Sequence, residues 1–169
     1  EYLPLPKFEE KGVSVHLKRE DLIFPLASGN KWRKLKYNFK ALTASSAKGI
    51  LTFGGAYSNH LAAAAALAAQ EQIPIVGIVR GEELANNPLN PTLSQCKANG
   101  MQLVFVTRAE YKLKALGETA SQLVAAKNLV VLPEGGTNKL AVKGCMEILT
   151  NDDLRFNVIG CAVGTGGTL

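Results

Sequence analysis

Ile50-Leu51-Thr52-Phe53-Gly54-Gly55-Ala56-Tyr57-Ser58-Asn59-His60-Leu61, followed by seven alanines between Ala62 and Ala69, is where the fold is decided. The run from Ile50 to Phe53 is short and apolar, as a strand buried on both faces should be. Gly54 and Gly55 then permit a tight turn, Ser58 is a good helix N-cap, and alanine is the best helix former. Small side chains also let a helix approach its sheet closely. The stretch reads strand, turn, helix.

The same unit recurs outward from it. Ile75 to Val79, Leu103 to Val106, Leu129 to Leu132 and Val158 to Val163 are further apolar runs rich in Val, Ile and Leu, and a helix-like stretch follows all but the last. That pattern predicts an α/β fold of three layers, a parallel sheet flanked by helices on both faces. Upstream, Val13 to Lys18 alternates like a half-exposed strand, and a loop from Arg19 to Gly29 leads into a helix beginning near Ser28. The segment from Asn86 to Pro91 is a turn-rich break, too short for a domain linker. The last apolar run leads into Gly164-Thr165-Gly166-Gly167-Thr168, which should open a helix, yet the sequence stops at Leu169. The expectation is a fragment of a longer protein, because a strand without its helix leaves a sheet face uncovered.

Bulk properties narrow the class. A chain of 169 residues with 47% hydrophobic composition can bury a substantial core. No apolar run approaches the roughly 18 to 20 residues that cross a bilayer, and the N-terminus lacks a signal-peptide pattern. A soluble, cytoplasmic protein with no membrane partner is expected. Cys96, Cys145 and Cys161 are odd in number and show no CxxC pairing, so neither a disulfide framework nor a zinc site is indicated. The net charge of +5 is scattered from Lys7 to Arg155 without an aromatic-interleaved basic stripe, which argues against nucleic acid. An anionic small ligand needs far less positive charge.

Four segments could carry chemistry. In Ser28-Gly29-Asn30-Lys31-Trp32-Arg33-Lys34-Leu35, Ser28 or Asn30 can cap the helix, and at about 100° per residue Trp32, Leu35, Phe39 and Leu42 form one apolar stripe. Lys31 falls within the arc of that stripe, whereas Arg33, Lys34, Lys36 and Lys40 project away from it. Desolvation and the positive end of the helix dipole both favour a neutral amine at Lys31, the form that attacks a carbonyl. A first-turn lysine that snorkels into water satisfies the spacing as well.

The turn from Gly54 to His60 gathers backbone N–H groups at a helix start, where carboxylates and phosphates bind. Asn59 adds an amide and His60 a titratable ring; a plain αβ turn fits the same residues. Gly164 to Thr168 can form an anion-binding nest with hydroxyl donors. It matches neither GxGxxG, which needs glycine where Leu169 stands, nor a GxxxxGK[ST] loop, for it lacks the lysine. Pro133-Glu134-Gly135-Gly136-Thr137-Asn138 is a loop of similar type, read as structural, with Thr137 or Asn138 able to cap the next helix.

Together these segments resemble the fold-type II pyridoxal-phosphate enzymes (the tryptophan synthase β-like fold), and most closely the branch containing 1-aminocyclopropane-1-carboxylate deaminase and D-cysteine desulfhydrase. The match runs in order through Lys18 to Leu22, Ser28 to Leu35, Gly54 to His60, Pro133 to Asn138 and Gly164 to Thr168. The resemblance implies that Lys31 carries pyridoxal 5'-phosphate as a Schiff base and acts as proton shuttle once freed. It implies that Asn59 bonds the cofactor's ring 3-oxygen, and that Ser58 lies beside the substrate, contacting its carboxylate or assisting proton transfer. His60 joins Ser58 and Asn59 in the expected substrate-binding set, and Gly164, Thr165, Gly166, Gly167 and Thr168 would hold the phosphate.

The implied reaction converts a small amino acid, 1-aminocyclopropane-1-carboxylate or one like D-cysteine, to a 2-oxo acid and ammonia. A desulfhydrase releasing hydrogen sulfide is the nearest alternative, and a non-catalytic α/β module binding a phosphorylated metabolite is the alternative of another class. Residues 1–46 and 128–169 would belong to a large domain and 47–127 to a small one, with the cofactor in the crevice between them. The full-length protein would be a homodimer. Two departures leave the substrate open: Tyr57 stands where relatives often carry Gln, and alanines follow where a polar or basic residue is common.

Overall fold

A computed structural model describes residues 1–24, 27, 29–162 and 168. Ser28 and Gly164, Thr165, Gly166 and Gly167 lie outside the described residues, so the expectations placed on them are carried no further by the structure. Two short strands, β1 (Tyr2–Leu3) and β2 (Val15–His16), pair antiparallel around helix α1 (Pro6–Glu9). The alternating run expected over Val13 to Lys18 thus contributes only two strand residues.

Helix α2 (Asn30–Thr43) precedes four βα units: β3 (Gly49–Gly54) with α3 (Asn59–Gln70), β4 (Ile75–Arg80) with α4 (Pro91–Ala98), β5 (Gln102–Val106) with α5 (Arg108–Leu113) and α6 (Glu118–Lys127), and β6 (Leu129–Val131) with α7 (Lys139–Cys145). The four strands form one parallel sheet in the order β5-β4-β3-β6, with Leu51 opposite both Val76 and Val131. Parallel strands covered on both faces are continuously apolar, which is why β3 and the first five residues of β4 are buried throughout.

Successive residues of each strand serve opposite layers. Ile50, Ile75 and Val79 join Leu61, Leu67, Leu93 and the alanines of α3 on one face, together with Leu35, Phe39 and Leu42 of α2. Leu51, Phe53, Val76 and Ile78 pack on the other against Tyr111 and Ala120, from α5 and α6. Each fully buried Leu or Phe stabilises this arrangement by about 1.5–3 kcal/mol relative to exposure. The three-layer expectation is met. Because β6 pairs with β3, the sheet continues past residue 127 to Val131.

One strand expectation fails. Residues 158–162 form no strand, and Val158 is 85% exposed. An apolar run becomes a strand only when another edge offers its N–H and C=O groups, and among the described residues none lies beside it. No described helix is long and apolar enough to cross a membrane.

Candidate active site around Lys31

Helix α2 begins after Gly29, whose φ of +67° is left-handed, and among the described residues it has no side-chain N-cap hydrogen bond. Asn30 is instead its first residue, and its Nδ2 donates to Thr168 Oγ1 at 2.7 Å. The start of the helix is therefore tied to the end of the glycine-rich segment, the two being 138 residues apart in the chain.

Lys31 lies in the first turn, half-buried. Loss of hydration lowers its pKa from the ordinary lysine value, with Cys145 acting in the opposite sense. The amine is thus biased toward the uncharged form rather than standing free in water.

Lys34 departs from the outward orientation expected of it. It is 1% exposed, and its Nζ donates to Thr137 Oγ1 at 2.8 Å. The apolar stripe marks only one packing partner, whereas α2 also packs against α7, where a Cβ added at Gly144 would meet the Arg33 carbonyl oxygen at 1.8 Å. The buried arc of α2 is consequently wider than the stripe. Burial lowers the Lys34 pKa, and the Lys31 charge lowers it further.

The second element is the turn before α3. Ser58 caps the helix as expected, its Oγ accepting from Leu61 N at 3.2 Å. Gly54 makes this possible, since a Cβ there would lie 2.6 Å from both Ser58 Oγ and Leu61 Cγ. The cap uses the third amide of the helix and leaves those of Asn59 and His60 at its positive end. Asn59 and Tyr57 are exposed and Ser58 is half-buried.

His60 points the other way. It is 3% exposed, its Nε2 lies 2.8 Å from Thr52 Oγ1, and its Nδ1 has no hydrogen-bond partner among the described residues. Desolvation, then the charges of Lys31 and Lys34, pull its pKa down to about 4 against the influence of Glu134. This is a core imidazole biased to its neutral form, not the substrate-binding group expected of it.

The loop over residues 133–138 closes the group. Asn138 caps α7 through Ala141 N at 2.9 Å, while Thr137 is engaged by Lys34. Gly135 and Gly136 adopt left-handed φ values, and a Cβ at Gly136 would lie 3.3 Å from His60 Cε1. Glu134 anchors the loop from its far side, accepting from Tyr111 at 2.6 Å and pairing with Lys114 at 2.8 Å. The sequence gives no sign of the Lys34–Thr137 bond, nor of the role of Asn90, whose Nδ2 donates to Ala56 O at 2.9 Å within the Ser58 turn. Asn90 left a signal only as a capping residue directly before Pro91.

The described residues thus offer a partly desolvated amine, a helix start with free backbone N–H groups and a threonine hydroxyl, a set suited to an anionic carbonyl compound. In comparison with known proteins, a family model described as pyridoxal-phosphate dependent enzyme matches residues 1–169. The chain belongs to the pyridoxal-phosphate-dependent enzyme family.

Within that family it is 31% identical over 170 residues to a provisionally named 1-aminocyclopropane-1-carboxylate deaminase of Thermotoga maritima, covering 95% of this chain and 53% of the relative. It is 28% identical over 175 residues to the mitochondrial bifunctional D-cysteine desulfhydrase/1-aminocyclopropane-1-carboxylate deaminase of Arabidopsis thaliana, covering 94% and 44%. Among solved structures, an ACC deaminase homologue matches with a TM-score of 0.80 at 25% identity, over 99% of this chain and 52% of that one. The chain spans about half the length of the curated relatives it matches.

Proposed function

We propose that the full-length pyridoxal-phosphate-dependent protein is a deaminase or lyase for a small amino acid, with Lys31 as the residue that binds the cofactor's aldehyde carbon. The observation that carries this reading is the half-buried Lys31 amine, lowered in basicity by desolvation, next to an Asn30 bonded to Thr168. A bound pyridoxal phosphate supplies an electron sink at the substrate's α-carbon. The chain's own residues supply position: Asn59 a donor for the ring oxygen, Thr168 with the preceding glycines a cradle for the phosphate, and Ser58 a hydroxyl for the substrate carboxylate. The Lys31 amine, once displaced, can take and return a proton.

The substrate proposed is 1-aminocyclopropane-1-carboxylate or a D-cysteine-like amino acid. With one water consumed, the first gives 2-oxobutanoate and ammonia; D-cysteine gives a 2-oxo acid, ammonia and hydrogen sulfide. Support for this choice comes from the names of the relatives above. The test is direct. The full-length protein should absorb at roughly 410 to 430 nm, and borohydride should fix the cofactor to wild type but not to Lys31→Ala. Assays of 2-oxobutanoate against sulfide release then decide the substrate. A colourless protein that binds phosphorylated metabolites equally well without the Lys31 amine would defeat the reading.

A further inference from the structure

Asn90 has two jobs. Its Oδ1 accepts from Leu93 N at 2.9 Å, capping α4, while its Nδ2 donates to Ala56 O at 2.9 Å. Cap and tether together fix which side of the amide carries the nitrogen. Ala56 lies 34 residues earlier, in the turn that presents Ser58.

A peptide unit is planar, so holding the Ala56 oxygen also sets the direction of the Tyr57 N–H, which points oppositely. Among the described residues nothing accepts from that N–H. The next bond along, Ser58 N to Gly55 O at 3.1 Å, closes the turn, and Ser58 Oγ is then pinned by Leu61 N. Gly54 and Gly55 make the turn tight but leave its backbone freedom large. Asn90 is the one side chain from another element among the described residues that hydrogen-bonds the turn between Gly54 and Ser58. Its own position is secured by α4, where Pro91 occupies the first helical turn and Leu93 and Cys96 are buried.

We infer that Asn90 is a positioning residue for substrate binding: through the Ala56–Tyr57 peptide it aims the Tyr57 N–H and the Ser58 hydroxyl at the α-carboxylate of the amino acid. The inference rests on the function proposed above. It adds a specificity element from β4–α4, outside the segments that carry the family resemblance.

The experiment uses full-length holoenzyme carrying Asn90→Asp or Asn90→Ser, both of which retain an N-cap oxygen for α4 but lose the amide donor. The expected result is a KM for the amino acid raised about tenfold, the equivalent of one hydrogen bond, with kcat and the cofactor absorbance little changed. In the cofactor-free full-length protein, amide exchange at Ser58, whose N–H is bonded to Gly55 O, should quicken by about the same factor while α4 exchanges as before. Unchanged KM and exchange overturn the inference, as does quickened exchange through α4, which would mark Asn90 as a helix cap only. A wild-type protein that takes up no cofactor defeats the functional reading itself, and that is seen before any variant is made.

Discussion

Asn30 Nδ2 and Thr168 Oγ1 lie 2.7 Å apart, joining the helix that carries Lys31 to the last threonine of the glycine-rich segment. In the function proposed above, this bond would hold the Lys31 amine and Thr168 at a fixed spacing, which is what a rigid aldehyde with an anionic tail needs. Asn30→Ala and Thr168→Val should each weaken pyridoxal 5'-phosphate binding about three- to tenfold, the range of one part-buried hydrogen bond. The double variant should be no weaker than the worse single one, because both remove the same bond. Spectral titration of the full-length protein checks this, and fully additive losses would disprove the link.

Lys34 and Thr137 make an asymmetric pair. The ammonium is buried, and Thr137 is its hydrogen-bond partner among the described residues. Thr137→Val leaves that ammonium unsatisfied and should cost about 1–3 kcal/mol. Lys34→Met removes the charge at similar volume and should cost less, or stabilise. Adding Lys34→Met to Thr137→Val should then recover most of the loss, as read by urea unfolding.

The contrast between Leu35 and Lys34 shows what the sequence made legible. Periodicity placed Leu35, Phe39 and Leu42 correctly because burial against the sheet is a property of one helix face. It misplaced Lys34 because α7 and the loop over residues 133–138 arrive from a hundred residues away, and nothing local announces their hydroxyl. The four strands of the sheet were equally legible, since burial on both faces writes itself into continuous apolar runs. Val158 and Ile159 carry the same apolar signal, yet whether such a run pairs depends on a neighbouring edge that composition does not encode. The Ser58 cap was readable from residue type and position, whereas the side of α3 on which His60 falls depended on the depth at which Thr52 meets it.

Gly144 offers a test of the α2–α7 contact. A Cβ there would sit 1.8 Å from the Arg33 carbonyl oxygen and 2.8 Å from its carbon, backbone atoms that cannot rotate aside. Gly144→Ala should therefore destabilise by about 1–3 kcal/mol or more, and by shifting α2 it should also weaken cofactor binding. Gly160→Ala is the control, because a Cβ at that position meets nothing within 4 Å among the described residues. Thermal unfolding should separate the two by several degrees, roughly 2–4 °C per kcal/mol for a protein of this size or larger.

His60 sets an acid limit on stability. Its pKa is about 4 in the folded chain against 6.5 for an unperturbed imidazole, because burial and the nearby lysine charges disfavour the proton. A depressed folded-state pKa means that the unfolded chain binds the proton more readily, so the stability involved is intact above pH 6.5 and is lost as pH falls toward 4. With the ring 3% exposed, the difference amounts to about 3 kcal/mol at the acid end. His60→Gln can keep a hydrogen bond to Thr52 but cannot titrate, so its unfolding free energy should fall less steeply between pH 6.5 and 4 than that of wild type. Parallel slopes for the two proteins over that interval would mean that His60 is already protonated in the fold, and that its Nδ1, without a partner among the described residues, has an acceptor.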